Sequence, residues 1–220
     1  MNITKNLNEI KSRLPKEITL VAVSKTKPNK SILEAYATGQ RIFGENRVQE
    51  LLEKQKSLPN DIEWHMIGHL QSKKVKVIAP FVHLIHGVDS IKLLAEIDKR
   101  AKQNNRNISC LLQMHIAQEQ SKFGLDQEEL VDLLTSTSFS KMKNIKILGL
   151  MGMATFTSDH AVIKSEFSSL KAIFDKTKQE HFKQDENFKT ISMGMSGDYL
   201  LAIECGSTMI RVGSSIFGGR

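Results

Sequence analysis

Cysteine and aromatic residues are scarce in this chain. Of its 220 residues, two are cysteine and 6% are Phe, Trp or Tyr. Cys110 and Cys205 lie far apart in apolar surroundings, which favours two reduced, buried thiols over a structural disulfide. The sequence therefore indicates a reducing compartment, and the cytoplasm is the expected location.

The chain also has no apolar run long enough to span a bilayer. Residues 1–20 lack the apolar core of a signal peptide. Instead, apolar residues recur there at helical spacing, at Ile3, Leu7, Ile10 and Leu14. We therefore expect an amphipathic N-terminal helix and no membrane partner.

Basic residues outnumber acidic ones by 31 to 24, which gives a formal net charge of +7. Such an excess favours contact with phosphates and other anions. The densest basic run, KKVK at 73–76, is typical of the solvated face of a helix. Because no aromatic-rich RNA-binding signature accompanies it, nucleic acid is not an expected partner.

Strand-like apolar runs alternate with helical patterns along the chain. Runs that are buried on both faces and separated by helices favour a parallel sheet, and eight such units predict a closed (β/α)₈ TIM-type barrel. A doubly wound open sheet is the alternative fold, but its G-x-G-x-x-G fingerprint is absent. Since no linker-like segment interrupts the pattern, we expect residues 1–220 to form a single domain. The eight runs are 18–24, 41–44, 62–67, 82–88, 108–116, 145–153, 190–193 and 208–212.

In such a barrel the functional residues lie just past the carboxyl ends of the strands. Most of the residues at those positions are polar, which is consistent with a functional mouth. They are Lys25, Asn46, His65, Asp89, Lys122, Met153, Ser192, Ser196 and Arg211.

Lys25 is the most informative of these residues. A lysine that leaves an apolar strand can be partly desolvated, which favours the neutral amine that attacks an aldehyde. A lysine that merely extends into solvent fits the same spacing, and Lys27 is an equally basic competitor two residues on.

The last predicted strand is followed by glycine and two serines. Gly213 allows close approach of the backbone, and Ser214 and Ser215 add hydroxyl donors, a combination typical of phosphate loops in barrels. The small-residue segment at 192–198 has the same character. If the first strand pairs with the last, the Lys25 amine, the cation of Arg211 and hydrogen-bond donors suited to a phosphate face one another. Pyridoxal phosphate offers an aldehyde, a ring nitrogen and a phosphate to match these three groups. A glycine-rich closure without a ligand, and a phosphate-binding enzyme without pyridoxal phosphate, are the alternatives.

The histidines do not indicate a metal centre. His65 and His69 are four residues apart, but Gly68 lies between them and no acidic or cysteine partner follows at metal-ligand spacing. His83, His86 and His115 are predicted to be core or rim histidines. No metal site and no Ser-His-Asp or Cys-His nucleophile is expected.

Several motifs in a fixed order resemble the pyridoxal phosphate homeostasis proteins, a family whose fold is similar to the barrel domain of alanine racemase. The resemblance covers nearly the whole chain. It implies that Lys25 holds pyridoxal phosphate as a Schiff base, that Arg211 faces the pyridine nitrogen, and that Gly213, Ser214 and Ser196 hold the phosphate, with Asn46 lining the pocket. Lys73 and His115 depart from the family pattern, in which asparagine is usual at both positions. The motifs are AVSKTKP (22–28), FGEN (43–46), WHMIGHLQ (64–71), GLM (149–151), SMGMSGD (192–198) and RVGSSIFG (211–218).

The function that the resemblance implies is cofactor handling. The protein would carry or buffer pyridoxal phosphate and support vitamin B6 and amino-acid homeostasis, as a monomer that delivers the cofactor to apo-enzymes. No residue is assigned a catalytic role, because an arginine at the ring nitrogen makes the cofactor a poorer electron sink.

The alternative is a pyridoxal phosphate-dependent enzyme such as a racemase. Racemases of related fold add a second acid/base, commonly a tyrosine, and the only tyrosines here are Tyr36 and Tyr199. Tyr36 lies on the apolar face of a predicted helix.

Overall fold

The computed structural model describes residues 2–119 and 123–219. Its eight parallel strands form a closed barrel in which neighbours along the chain pair and the last strand pairs with the first. The predicted (β/α)₈ barrel is thus confirmed, and the open sheet was the wrong alternative. The strands are β1 (Thr19–Val23), β2 (Ile42–Glu45), β3 (Glu63–Met66), β4 (Leu84–Val88), β5 (Ile108–Gln113), β6 (Ile145–Met151), β7 (Thr190–Ser192) and β8 (Met209–Val212).

Helices surround the barrel, and one precedes the first strand, as the apolar spacing predicts. That helix buries Ile3, Leu7 and Ile10 and is capped by the Asn2 side chain. Two four-residue helices were not predicted, because so short a segment has no periodicity to detect. The helices are α1 (Ile3–Arg13), α2 (Asn29–Ala37), α3 (Val48–Ser57), α4 (Ser72–Ile78), α5 (Ile91–Gln103), α6 (Gln127–Thr135), α7 (Thr137–Ser140), α8 (His160–His181), α9 (Tyr199–Glu204) and α10 (Ser214–Phe217).

Strands β5 and β6 end earlier than their apolar runs suggest. The predicted strand at 108–116 stops at Gln113, after which Met114 forms an isolated bridge with Leu125 and the His115 N–H donates to the Leu125 carbonyl over 2.9 Å. The apolar pattern continues beyond the strand because this segment is held against Leu125, near the end of the loop that leads to α6. The predicted strand at 145–153 likewise ends at Met151.

Two apolar layers follow from the alternation of side chains along each strand. The larger layer lies between the strands and the helices. The smaller one fills the barrel interior with Val21, Leu84, Leu111, Met151 and Met209. The interior is therefore packed with side chains rather than open.

Both cysteines have free thiols. Cys110 is buried as predicted, whereas Cys205, also predicted to be buried, is half-buried. Among the described residues, no helix combines the length and the apolar character needed to cross a membrane.

Replacement of Gly149 by alanine should destabilise the barrel strongly. Gly149 has φ = 150°, and an added Cβ would overlap the carbonyl oxygen of Thr190 on the paired strand β7. Backbone strain and overlap together predict a loss of at least about 3 kcal/mol in the free energy of unfolding. Denaturant unfolding measures it. Gly197→Ala is the matched control, since no heavy atom lies within 4 Å of its added Cβ; similar losses for the two variants would contradict this account.

Candidate functional site

The pairing of β1 with β8 brings the two segments singled out in the sequence to one end of the barrel. Ala22 is in register with Val212. Just beyond, Gly213 lies so close to Val23 that an added Cβ would be 3.2 Å from the Val23 carbonyl oxygen. Lys25 follows in the turn after β1. The lysine turn and the glycine loop therefore meet at the mouth, as the sequence predicts.

The β1 turn carries two half-buried lysines, Lys25 and Lys27. The Lys27 amine donates to the Gly219 carbonyl over 2.8 Å. Between them Thr26 has φ = 64°, which is uncommon for a β-branched residue. Its N–H donates to Glu50 Oε1 over 2.5 Å. The turn is thus held in a strained conformation, a feature that clusters at functional sites.

A buried ion pair anchors the base of this turn. Lys54 Nζ donates to Glu45 Oε1 over 2.7 Å, to Glu50 Oε1 over 2.6 Å and to the Ser24 carbonyl over 2.8 Å. Ser24 Oγ donates to the same Glu45 oxygen over 2.5 Å. Burial raises the pKa of Glu45, against the opposing effects of Lys54 and Ser24. Because Ser24 and Glu45 directly precede Lys25 and Asn46, this cluster fixes the backbone from which both project.

Asn46 is half-buried at the mouth, next to the loop that follows β3. An added Cβ at Gly68 would be 2.6 Å from the Asn46 carbonyl oxygen, so the two backbones are in contact. On the neighbouring rim, Asp89 Oδ2 lies 3.4 Å from His69 Nδ1, and the His69 ring stacks on Phe123 with centroids 4.0 Å apart. The rim between β2 and β5 is therefore polar and aromatic.

Ser196 joins the loops that follow β7 and β8. Its Oγ accepts hydrogen bonds from the backbone N–H groups of Gly213, over 3.1 Å, and of Ser215, over 3.4 Å. Ser214 lies between them, exposed, as the first residue of α10. Two backbone donors that converge on one oxygen are suited to hold an oxygen of an anionic group.

Arg211 points into the barrel and is 4% exposed. Its guanidinium donates to Ser192 Oγ over 2.6 Å, to the Ser192 carbonyl over 2.8 Å and to the Gly152 carbonyl over 3.0 Å. Burial lowers the pKa of Arg211 to about 10, so the side chain remains a cation at neutral pH. Ser192, expected at the mouth, is instead buried beneath it.

His65 was wrongly predicted to lie at the mouth. It is an internal residue of β3, 2% exposed, and its Nδ1 lies 3.0 Å from His86 Nε2. His86 Nδ1 lies 3.1 Å from Ser192 Oγ. Burial lowers the pKa of His65 to about 3 and that of His86 well below its usual value, so both rings are neutral. The prediction that His86 is a satisfied core histidine agrees with this geometry.

These four residues form what we call the interior polar column: His65, His86, Ser192 and Arg211. Sequence reasoning did not predict that these residues meet. The available signal was a polar residue at one position in each of four strands, but strand pairing decides which of them meet.

The remaining candidate residues are Lys122, Met153 and the two tyrosines. Lys122 lies outside the described residues. Met153 packs against the interior apolar cluster. Tyr199 is 9% exposed and packs in the outer core, while the Tyr36 hydroxyl donates to Asp61 over 2.7 Å. Neither tyrosine is aimed at the mouth by these contacts.

The two departures from the family pattern are local. Lys73 is exposed in the first turn of α4. His115 Nε2 lies 3.0 Å from the Glu119 carbonyl oxygen.

Comparison with known proteins accounts for this arrangement. A family model described as the alanine racemase N-terminal domain matches residues 1–220. The chain is 38% identical over 208 residues to the pyridoxal phosphate homeostasis protein of Pasteurella multocida, covering 92% of this chain and 87% of that protein. Its identity to the protein of that name from Helicobacter pylori is 39% over 202 residues, covering 91% and 87%. The chain belongs to the pyridoxal phosphate homeostasis protein family.

Solved structures show the shared fold of this family. PipY of Synechococcus elongatus without PLP superposes with a TM-score of 0.91 at 36% identity, covering 98% of this chain and 100% of that one. PipY with PLP bound gives a TM-score of 0.88. Alanine racemase of Clostridium difficile, at 14% identity, matches with a TM-score of 0.79 but only 60% of its chain is covered. The likeness to the racemase therefore concerns the fold of the matched part of that enzyme.

Replacement of Lys54 by methionine should destabilise the protein in a pH-dependent way. The variant leaves the Glu45 carboxylate buried without its cation, which predicts a loss of about 3–5 kcal/mol near pH 7. Burial raises the pKa of Glu45 above its unfolded value. Protonation of Glu45 therefore stabilises the folded state, and this stabilisation is present at low pH and is lost as pH rises. The deficit of the variant should therefore shrink towards about pH 5.

Urea unfolding at several pH values measures this difference between variant and wild type. Lys56→Met, an exposed residue of the same helix, is the control and should change stability by less than about 0.5 kcal/mol. A deficit that is independent of pH would show that Glu45 does not carry the effect.

Proposed function

We propose that this protein binds pyridoxal 5'-phosphate at the mouth of the barrel and carries or buffers it within the cell. The observation that carries the proposal is the meeting of Lys25, Arg211 and the Gly213–Ser215 donors at one end of a barrel of this family. The cofactor offers an aldehyde, a ring nitrogen and a phosphate, which are the complements of these three groups. PipY, described as binding PLP, has the same fold at 36% identity.

Lys25 is the residue that we propose holds the cofactor as a Schiff base. Its strained turn is fixed from below by the Ser24, Glu45 and Lys54 cluster. We assign the Schiff base to Lys25 rather than Lys27 because Lys25 directly follows Ser24, whose hydroxyl and carbonyl belong to this cluster. A pre-positioned amine reacts with an aldehyde more readily than a freely rotating one.

The phosphate fits the loops after β7 and β8. There the Gly213 and Ser215 N–H groups converge on the Ser196 hydroxyl, and Ser214 adds an exposed hydroxyl. Gly213 is needed because its backbone packs against Val23. We assign Ser196, Gly213 and Ser214 to the phosphate, and Asn46 to the opposite wall of the pocket.

We assign Arg211 to the ring nitrogen, which it would face from the barrel interior. Its guanidinium is held by Ser192 and Gly152 and remains a cation. A cation beside the ring nitrogen opposes protonation of that nitrogen, which weakens the cofactor as an electron sink. This property suits storage of the cofactor better than turnover of amino acids.

We further propose that the protein acts as a cytoplasmic monomer that delivers the cofactor to apo-enzymes. The two free thiols are compatible with a reducing compartment.

The first test compares Lys25→Ala with Lys27→Ala. We expect the wild type and Lys27→Ala to show the visible absorbance band of a lysine Schiff base with added cofactor, and Lys25→Ala to lose it. Borohydride reduction followed by peptide mass spectrometry locates the adduct. An adduct on Lys27 in the wild type, or an undiminished band in Lys25→Ala, would overturn the assignment.

The second test addresses function. The loaded protein is incubated with each common amino acid, and products and enantiomers are followed by chiral chromatography against free cofactor and Lys25→Ala. We expect no turnover above either control, because proton transfer needs a second positioned group. In parallel, the loaded protein should restore the activity of an apo-aminotransferase. Turnover well above both controls would instead favour the racemase-like alternative.

A further inference from the structure

A second cluster of chemically active side chains lies at the opposite end of the barrel from Lys25. Glu63 is the first residue of β3, and His65, two positions on, shares its face of the strand. His83 immediately precedes β4, and its N–H donates to the Trp64 carbonyl over 2.9 Å. Pairing of β3 with β4 therefore gathers one carboxylate and two imidazoles near the amino ends of these strands.

The three side chains approach as metal ligands do. One ligand atom from each lies within 4.8 Å of the other two, and Glu63 Oε2 lies 3.4 Å from His83 Nε2. Ligands at about 2.0–2.2 Å from a tetrahedral zinc ion are themselves separated by roughly 3.3–3.6 Å. The Glu63 and His83 side chains are 43% and 53% exposed, so they can move by the remaining distance and leave a path for an ion to enter.

His65 supplies the observation that points to a ligand. Its Nε2 is buried and has no hydrogen-bond partner, although a buried polar atom is normally paired. The other ring nitrogen is occupied, since Nδ1 lies 3.0 Å from His86 Nε2. His65 Nε2 is therefore the ring nitrogen that is left to bind an ion together with Glu63 and His83.

We propose that Glu63, His65 and His83 form a binding site for a divalent transition metal ion, with Zn²⁺ as the best match. Two imidazoles and a carboxylate are borderline donors that select Zn²⁺ over Mg²⁺ or Ca²⁺. Three protein ligands leave a fourth position for water.

The interior polar column supplies the outer contacts that such a site requires. A metal on His65 Nε2 places the ring proton on Nδ1, which then donates to His86 Nε2. His86 Nδ1 in turn can donate to Ser192 Oγ, the oxygen that Arg211 also contacts over 2.6 Å. The ion would therefore fix the direction of the hydrogen bonds along the interior polar column, from His65 to Arg211.

Isothermal titration calorimetry of the cofactor-free protein with ZnCl₂ tests the proposal. We expect one ion per chain, and at least tenfold weaker binding in Glu63→Gln and in His83→Asn. Both residues are half exposed, so the variants should fold, which circular dichroism checks. His160→Asn is the matched control, as an exposed histidine on α8, and should bind as the wild type does.

A crystal soaked in zinc and measured at the zinc absorption edge gives an independent readout. An anomalous peak between Glu63, His65 and His83 would support the site. Unchanged affinity in His83→Asn, a peak only elsewhere, or no binding by the wild type at 100 µM Zn²⁺ would overturn it and leave His83 and Glu63 as an ordinary ion pair.

Discussion

A buried guanidinium in the centre of the barrel constrains much of the surrounding structure. Arg211 is 4% exposed, and its hydrogen bonds go to one hydroxyl and two carbonyls. A charge in such a place is tolerated only if its donors are satisfied and neighbouring groups do not repel it. Burial and the cation of Arg211 both lower the pKa of His86, so the next ring in the column is neutral. The polar interior thus follows from one charged residue and the groups that satisfy it.

The mouth depends on a second constraint, the closure of the barrel by β1 and β8. Residues 190 positions apart in the chain become neighbours, as when Val21 pairs with Arg211. The Glu45 and Lys54 pair then fixes the end of β1 from the other side. The lysine turn is consequently positioned by two adjacent strands, although it is itself a short loop.

Several features were predictable because their signals are local. The apolar runs and the helical spacing of Ile3, Leu7 and Ile10 each report the environment of a single element, and eight strand-and-helix units leave few topologies for a parallel sheet. The ends of the strands were less well predicted. The apolar runs at 108–116 and 145–153 continue into the loops after the strands, and apolar residues in a loop give the same sequence pattern as apolar residues in a strand. Likewise, the four-residue helices α7 and α10 are too short to carry a period.

The sequence by itself determined the fold class, the family and several of the residues at the carboxyl ends of the strands. Only the tertiary structure decided which polar residues meet. His65 was predicted to lie at the mouth, yet it faces inwards, contacts His86 and lies beside His83 and Glu63. Similarly, only the structure shows that the Ser24, Glu45 and Lys54 cluster anchors the backbone directly before Lys25. The physical reason is that apolar periodicity depends on neighbours within one element, whereas polar contacts depend on the register between strands and on the direction of each side chain.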